Sequence, residues 1–222
     1  MSSDLSAAGF LFNQQIYLGE FENLLSKIVV CYNLMLQDNV QLPNDENRIR
    51  DALLLGYLKK DEIRKRVGLT DFLFDREVVE DFTIGRTDIK IQTKNSFERT
   101  EAYYIIECKR LDVNNTKGVS GLNGKYIENG ICRFVTNYYS SFYKVNAMIG
   151  FIVAKLNIQQ NIDDINFLLK NHFPMASTTS ELQNVNFIPG CNYHYRSKHQ
   201  KSDQSELYLY HLMLDVFSQI SN

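Results

Sequence analysis

The sequence is poor in proline and glycine, with 3 and 11 of them among 222 residues. Together with a hydrophobic content of 44%, this composition excludes disordered and collagen-like chains. A bilayer-spanning helix needs about 18 or more consecutive apolar residues, and no segment reaches that length. The first ten residues, MSSDLSAAGF, also lack the basic region and apolar stretch of a secretory signal. We therefore expect a globular, cytoplasmic protein that does not bind a membrane.

The sequence also has few cysteines and a small net charge. The cysteines lie far apart and form no C-x-x-C pair, so neither a zinc ribbon nor a disulfide framework is indicated. We expect reduced, mostly buried thiols at Cys31, Cys108, Cys132 and Cys191. The net charge of -2 argues against a histone-like basic protein. Residues 107–144 nevertheless carry 6 basic and 3 acidic side chains, so the middle of the chain is locally positive.

Sequence periodicity predicts one α/β domain over residues 1–222, without repeats or a linker. It divides into an N-terminal helical region (1–43), a core (44–154) and a C-terminal part with a helix and a β-hairpin (155–222). Apolar residues at helical spacing predict helices over 10–37, 44–66, 126–143 and 162–172. Stretches rich in β-branched and aromatic residues predict strands over 72–79, 82–92, 102–111 and 147–154, and a hairpin of 192–200 with 207–216.

Charged residues interrupt the third predicted strand, which reads Tyr-Tyr-Ile-Ile-Glu-Cys-Lys. Glu107 and Lys109 share one face there because side chains alternate along a strand. Burying such groups costs several kcal/mol unless they are paired or face a cation or an anionic ligand. If the preceding strand is the neighbour, Asp88 converges on Glu107. Two carboxylates at one strand edge repel each other, and a hard divalent cation such as Mg²⁺ would remove that repulsion.

This arrangement resembles the signature of restriction-endonuclease-like nucleases, the PD-(D/E)xK superfamily. Asp88 is followed, after 18 intervening residues, by Glu107-Cys108-Lys109 at the end of an apolar strand. The predicted order of elements over residues 44–154, about half the chain, is similar to the common core of that family. The resemblance implies a mixed central sheet flanked by helices, and hydrolysis of phosphodiester bonds with Mg²⁺ or Mn²⁺.

Carried over residue by residue, the resemblance assigns catalytic roles to four side chains. Asp88 and Glu107 would bind the metal, and Lys109 would orient or help deprotonate the attacking water. Many members carry a further acid on the preceding helix, and Glu46 matches that position. Thr87 stands where the family motif has proline, which is the loosest position of the pattern. The expected activity is that of a metal-dependent nuclease, preferentially a DNA endonuclease, with RNA as substrate and a homodimeric state left open.

Basic residues near this site and in the C-terminal hairpin are candidates for nucleic-acid contact. Cations neutralise phosphates, and aromatic rings between them stack on bases. The candidates are Arg110, Lys117, Lys125, Arg133, Arg196, Lys198 and His199. Lys117 and Lys125 flank a Gly- and Asn-rich loop that we expect to be flexible and to close over a bound strand. A solvated side chain is the alternative for Arg133.

Each feature also has a less specific interpretation. Glu107 and Lys109 suit an ordinary ion pair at a solvated sheet edge, and Glu46 suits an acid that favours the helix dipole. The hairpin would then be an exposed, tyrosine-rich packing element. A zinc site can be drawn from its histidines and a nearby cysteine, but His194 and His199 lie on opposite faces of the strand. The alternative function is a catalytically inactive nucleic-acid-binding or assembly module with the same fold.

Overall fold

The computed structural model describes residues 7–79, 85–139 and 141–221. Its centre is a seven-stranded mixed sheet with helices packed on both faces. The strands are β1 (Leu73–Arg76), β2 (Ile89–Gln92), β3 (Tyr103–Leu111), β4 (Val145–Ile152), β5 (Thr178–Asn184), β6 (His194–Gln200) and β7 (Glu206–Asp215). The helices are α1 (Ala7–Gln37), α2 (Glu46–Leu53), α3 (Asp61–Val67), α4 (Leu122–Tyr126), α5 (Cys132–Val135) and α6 (Ile158–His172). The predicted α/β class, a mixed sheet flanked by helices, is confirmed.

The strands lie in the order β1-β2-β3-β4-β7-β6-β5. β1, β2 and β3 pair antiparallel, whereas β4 is parallel to β3 and β7 is parallel to β4. The chain passes from β3 to β4 through the helix formed by α4 and α5, because parallel neighbours need a crossover connection. The predicted C-terminal hairpin exists as β6 and β7. The hairpin is part of the main sheet, because β7 pairs with the central strand β4 on one side and with β6 on the other.

The central strands are apolar along their length because both faces of the sheet are covered. Every residue of β4 is buried. One apolar layer lies between the sheet and helices α1 and α2, and contains Phe21, Ile28 and Leu53. The other lies between the sheet and the helices α4, α5 and α6, and contains Tyr126 and Ile165. All four cysteines are free and three are buried, as predicted.

Several element boundaries differ from the prediction. The helix predicted to end near residue 66 is interrupted at residues 59–60, before α3 begins. The helix predicted over 126–143 starts at Leu122 and ends at Val135, just before Asn137 adopts the left-handed conformation with φ of 59°. β5 has no predicted counterpart because its side chains, TTSELQN, are polar and mostly exposed. Part of the strand predicted over 82–92 lies outside the described residues.

Candidate functional site

The sheet opens at the start of β2, and this opening creates the site. β2 and β3 pair antiparallel as far as Ile89 and Ile106, whereas β3 continues to Leu111. Beyond Ile106, the side of β3 that β2 covered has no strand partner among the residues that the structure describes. Continuing the register by one residue places Asp88 opposite Glu107, on the same face of the sheet.

Two carboxylates accept the backbone hydrogen bonds that β2 leaves unmade. The N–H of Cys108 donates to Asp88 Oδ2 at 2.8 Å, and the N–H of Arg110 donates to Glu46 Oε2 at 2.9 Å. Glu46 is the first residue of α2, so its carboxylate does lie at a helix N-terminus. A role for Glu46 in favouring the helix dipole alone does not explain its bond to β3. The open strand edge therefore holds Asp88, from just before β2, beside Glu46 from α2.

The ammonium group of Lys109 lies among these oxygen atoms. Its Nζ is 2.9 Å from Glu107 Oε1, 3.1 Å from Glu46 Oε1 and 4.0 Å from Asp88 Oδ2. It also donates to the carbonyl oxygen of Cys108 at 2.7 Å. Burial acts to lower the pKa of Lys109, but the three facing carboxylates outweigh burial and raise the pKa. The three acids assigned catalytic roles are thus gathered around the ammonium group of Lys109, the fourth such residue.

Glu107 is the most enclosed of these acids, with 1% of its surface exposed. It accepts hydrogen bonds from Arg133 Nη1 at 3.1 Å and from Tyr139 Oη at 2.7 Å, in addition to Lys109. Burial and then the charge of Asp88 raise the pKa of Glu107 to about 7, and the bonds from Lys109 and Tyr139 offset only part of this rise. Because the ammonium is shared among three carboxylates, Glu107 loses its charge more readily than Lys109 does. This is not an ion pair at a solvated sheet edge.

Both helices that border the site contain a π-helical segment. Leu54–Leu58 continues α2, which carries Glu46, and Ile127–Ile131 joins α4 to α5 just before Arg133. The wider turn of a π-helix changes the direction in which the following side chains leave the helix. Such segments are rare and occur frequently at functional sites. Sequence periodicity does not indicate them, because apolar residues continue through both at nearly helical spacing.

Arg50 and Tyr139 are site residues that sequence reasoning missed as functional candidates. Arg50 follows Glu46 by one helical turn and donates from Nη1 to Asp88 Oδ1 at 3.0 Å. Its position on the same helix face as Glu46 is the only sequence signal. Tyr139 follows the end of α5, and no sequence feature distinguishes it from its neighbour Tyr138. Only the tertiary structure shows which of the two tyrosines binds Glu107.

The donor atoms around the Lys109 ammonium suit a hard cation. The carboxylates of Asp88 and Glu107 and the carbonyl of Cys108 are all oxygen donors, the type preferred by Mg²⁺ and Mn²⁺. Within the described residues, no group of three His, Cys, Asp or Glu side chains is arranged to hold a metal ion. Mg²⁺ typically binds through one or two carboxylates, with water and substrate phosphate completing its coordination. The residues therefore fit this ion, which would compete with Lys109 for the same oxygens.

Four of the predicted nucleic-acid-binding residues lie on β3 and the elements that follow it. Arg133 is one-third exposed and bonded to the buried acid of β3, so it is not simply solvated. Lys117 Nζ lies 3.7 Å from Asp164 Oδ1, and Lys125 is exposed on α4. Arg110 Nη1 donates at 2.7 Å to the residue that precedes the N-cap of α2. All four are basic residues, the type that binds phosphate.

The Gly- and Asn-rich loop after β3 is compact. A side chain at Gly124 would collide with the carbonyl oxygen of Val119, and one at Gly121 would collide with that of Asn115. Glycine permits this close approach of the backbone to itself. The backbone of the loop therefore packs closely against itself, and its closure over a bound strand stays a prediction.

The predicted hairpin residues lie away from the site. β6 is the third strand along the sheet from β3, about 14 Å away at the usual strand spacing. Arg196 Nη1 is 3.9 Å from Glu22 of α1, and Lys198 Nζ is 3.2 Å from Glu206, toward the opposite end of the strands. His199 is completely buried and cannot contact nucleic acid. The prediction of nucleic-acid contact is therefore wrong for His199. For Arg196 and Lys198, whose side chains are about one-third exposed, it stays a prediction.

The histidines of β6 and β7 form a buried hydrogen-bond chain rather than a zinc site. Ser197 Oγ lies 2.7 Å from both His199 Nε2 and His211 Nε2. His211 Nδ1 is 2.8 Å from Tyr126 Oη, and His199 Nδ1 is 2.8 Å from the carbonyl oxygen of Ala176. All four ring nitrogens are already bonded, so none is free to bind a metal. The other histidine of β6 faces the opposite apolar layer, as predicted.

Two observations concern the chain as a whole. No helix among the described residues is long and apolar enough to cross a bilayer. No protein-family model, curated protein or solved structure matches the chain.

Proposed function

We propose that this protein is a metal-dependent nuclease that hydrolyses phosphodiester bonds, with DNA as its preferred substrate. One observation carries the proposal: Asp88, Glu107 and Glu46 all approach the ammonium of Lys109 at the open edge of β3. These are the residue types and positions that the resemblance to restriction-endonuclease-like nucleases requires. The element order around them, a helix, three antiparallel strands, a helix and a parallel strand, is also the order expected from the resemblance.

The chemistry follows from the charges of these groups. A Mg²⁺ or Mn²⁺ ion held by Asp88 and Glu107 would offset charge on the phosphate and lower the pKa of a bound water. Lys109, held by its bonds to Glu46 and Glu107, would orient that water and stabilise the negative charge that develops. Glu46 holds Lys109 from the α2 side. Arg133 lies one-third exposed beside Glu107, where it can bind a phosphate oxygen.

Cleavage of circular and linear DNA, with Mg²⁺ or with chelator, tests the proposal directly. We expect cleavage only with the metal and almost none from Asp88→Asn or Lys109→Met. Lys170→Met serves as the matched control, because it removes an exposed lysine on α6 outside the site. Cleavage of RNA but not of DNA under the same conditions would show that RNA is the substrate of the same reaction.

A protein that binds DNA but does not cut it, with or without metal, would contradict the proposal. It would favour the catalytically inactive nucleic-acid-binding module instead. Equal cleavage by the parent and by both site variants would indicate a contaminating nuclease.

A further inference from the structure

Arg50 is the most deeply buried cation among the described residues, with 2% of its surface exposed. Its guanidinium group bonds three acids from separate parts of the chain. Nη2 donates to Asp51 Oδ1 and to Glu77 Oε1, both at 2.9 Å, and Nη1 donates to Asp88 Oδ1 at 3.0 Å. Nε donates to Asp51 at 3.0 Å, and Nη1 donates to Asn47 Oδ1 at 3.2 Å. All three guanidinium nitrogens are therefore engaged.

The orientation of the Asp88 carboxylate depends on the contact with Arg50, because Asp88 precedes β2 and is not held by strand pairing. Its carbonyl oxygen accepts from the N–H of Glu77 at 3.1 Å, but its side chain is held only through its two oxygens. Arg50 binds Oδ1, and the N–H of Cys108 binds Oδ2 at 2.8 Å. With both oxygens fixed, the carboxylate has one orientation, in which Oδ2 lies 4.0 Å from Lys109 Nζ.

We propose that Arg50 is a positioning residue, which fixes the carboxylate of Asp88 in the orientation that binds the catalytic cation. The inference rests on the proposed function. Arg50 acts through Asp88 and stays on the far side of that carboxylate from Lys109. It also balances charge, because five cations and five carboxylates are linked by ion pairs around the site. They are Arg50, Arg76, Arg86, Lys109 and Arg133 with Glu46, Asp51, Glu77, Asp88 and Glu107.

No other cation in this cluster replaces Arg50. Arg76 pairs with Asp51 and Arg86 pairs with Glu77, both from the solvent side. Their side chains are 48% and 61% exposed, so solvent and salt screen these two ion pairs. A lysine at position 50 would keep the charge, but its shorter side chain and single nitrogen cannot reproduce the planar fork of bonds to Asp51, Glu77 and Asp88. The substitution Arg50→Lys therefore removes the geometry while retaining the electrostatic effect of Arg50 on a bound cation.

The experiment measures binding of Mn²⁺ alone by electron paramagnetic resonance, and DNA cleavage as a function of Mg²⁺ concentration. The matched control is Arg64→Lys, because Arg64 is a partly buried arginine that bonds Asp61 and the carbonyl of Phe72 outside the site. Loss of a group that orients a metal ligand typically costs about 10- to 100-fold in metal affinity or activity. We expect Arg50→Lys to weaken Mn²⁺ binding and to reduce the cleavage rate by at least about 10-fold each. Arg64→Lys should leave both unchanged.

Equal Mn²⁺ affinity and equal Mg²⁺ dependence in Arg50→Lys and the parent would overturn the inference, even if the variant melts earlier. Arg50 would then be purely structural, and the proposed function would stand. A parent protein that neither binds Mn²⁺ nor cleaves DNA would overturn the proposed function and this inference together.

A second variant decides the question if Arg50→Lys does not fold. Asn47→Ala removes one bond to Nη1, the nitrogen that holds Asp88, without changing any charge. Asn47 is exposed in α2, where alanine favours the helix. A loss of Mn²⁺ affinity in Asn47→Ala relative to the parent supports positioning, because the variant removes only a bond that helps to orient Nη1. Unchanged Mn²⁺ affinity in Asn47→Ala contradicts it.

Discussion

Replacing Glu107 by glutamine keeps the size of the side chain and removes its charge. In the folded protein the ionised carboxylate is disfavoured by burial and by the charge of Asp88. The bonds from Lys109, Arg133 and Tyr139 do not fully compensate for these effects. We therefore expect Glu107→Gln to gain stability relative to the parent as the pH rises, in the absence of metal.

The magnitude follows from the pKa of Glu107, which is about 7 in the folded protein instead of the usual 4.5. A carboxyl group whose pKa is raised by folding contributes stability below its unfolded pKa and loses that contribution as the pH rises through the folded pKa. The full shift corresponds to about 3 kcal/mol, and ~2.5 kcal/mol of it is lost between about pH 5 and pH 8.5. Glutamine does not titrate, so the variant lacks this loss.

Urea unfolding of both proteins in chelator, at about pH 5 and pH 8.5, measures the difference. We expect the free energy of unfolding of Glu107→Gln, minus that of the parent, to increase by ~2.5 kcal/mol between the two pH values. Any constant cost of placing an amide beside two cations cancels in this comparison. Glu128→Gln, which removes an exposed carboxylate from the neighbouring helical segment, controls for the loss of one charge.

The same pair of proteins also tests the metal site. Mg²⁺ should stabilise the parent, because a ligand that binds only the folded state adds stability, and it should have a much smaller effect on Glu107→Gln. If the difference in unfolding free energy between Glu107→Gln and the parent is the same at both pH values, folding does not raise the pKa of Glu107, and the reasoning is refuted. A variant that melts earlier at both pH values, with no Mg²⁺ response in the parent, would indicate a structural ion pair.

Two further predictions concern buried groups away from the metal ligands. Gly124→Ala should lower the free energy of unfolding in urea by ~2 kcal/mol, because the added methyl group meets the carbonyl oxygen of Val119. A stability equal to that of the parent would contradict the close packing of the loop backbone at Gly124. Burial lowers the pKa of His199 to about 4, so its stabilising contribution, present above pH 6.5, should decrease by ~2 kcal/mol between about pH 7 and pH 5. The measurement is urea unfolding at both pH values of two proteins, Glu107→Gln and the double variant Glu107→Gln/His199→Gln, so that the titration of Glu107 does not contribute. An equal change of unfolding free energy in both proteins would show that His199 takes up a proton in the fold.

The core of the candidate site is predictable from sequence because charge in an apolar strand is costly. Glu107 and Lys109 interrupt a strand that is otherwise apolar, and Asp88 shares their face by strand parity. Arg50 and Tyr139 are not predictable as partners in the same way. They come from elements that lie far away in sequence, and only the opening between β2 and β3 decides which side chains reach the exposed edge.

The order of strands is the part of the fold that the sequence indicates least. Alternation shows which residues of a strand are buried, but it does not identify the neighbouring strand. β7 pairs with β4, from which it is separated by α6, β5 and β6. The apolar run Leu212-Met213-Leu214 is typical of a strand covered on both faces, and it indicates a central position more strongly than a peripheral hairpin.

The buried histidines show why polar residues in a hairpin are easily assigned to the surface. The carbonyl oxygen of Ala176 can only accept, so His199 donates to it from Nδ1 and accepts at Nε2 from the hydroxyl of Ser197. Ser197 has one proton, and must therefore accept from His211 Nε2, which leaves His211 Nδ1 to accept from Tyr126. Every group in this chain is neutral and fully paired, so the interior holds two imidazoles without a buried charge. Because the pairing joins α4, β6, β7 and the turn before β5, it exists only in the assembled sheet, and local sequence patterns cannot distinguish these histidines from solvated ones.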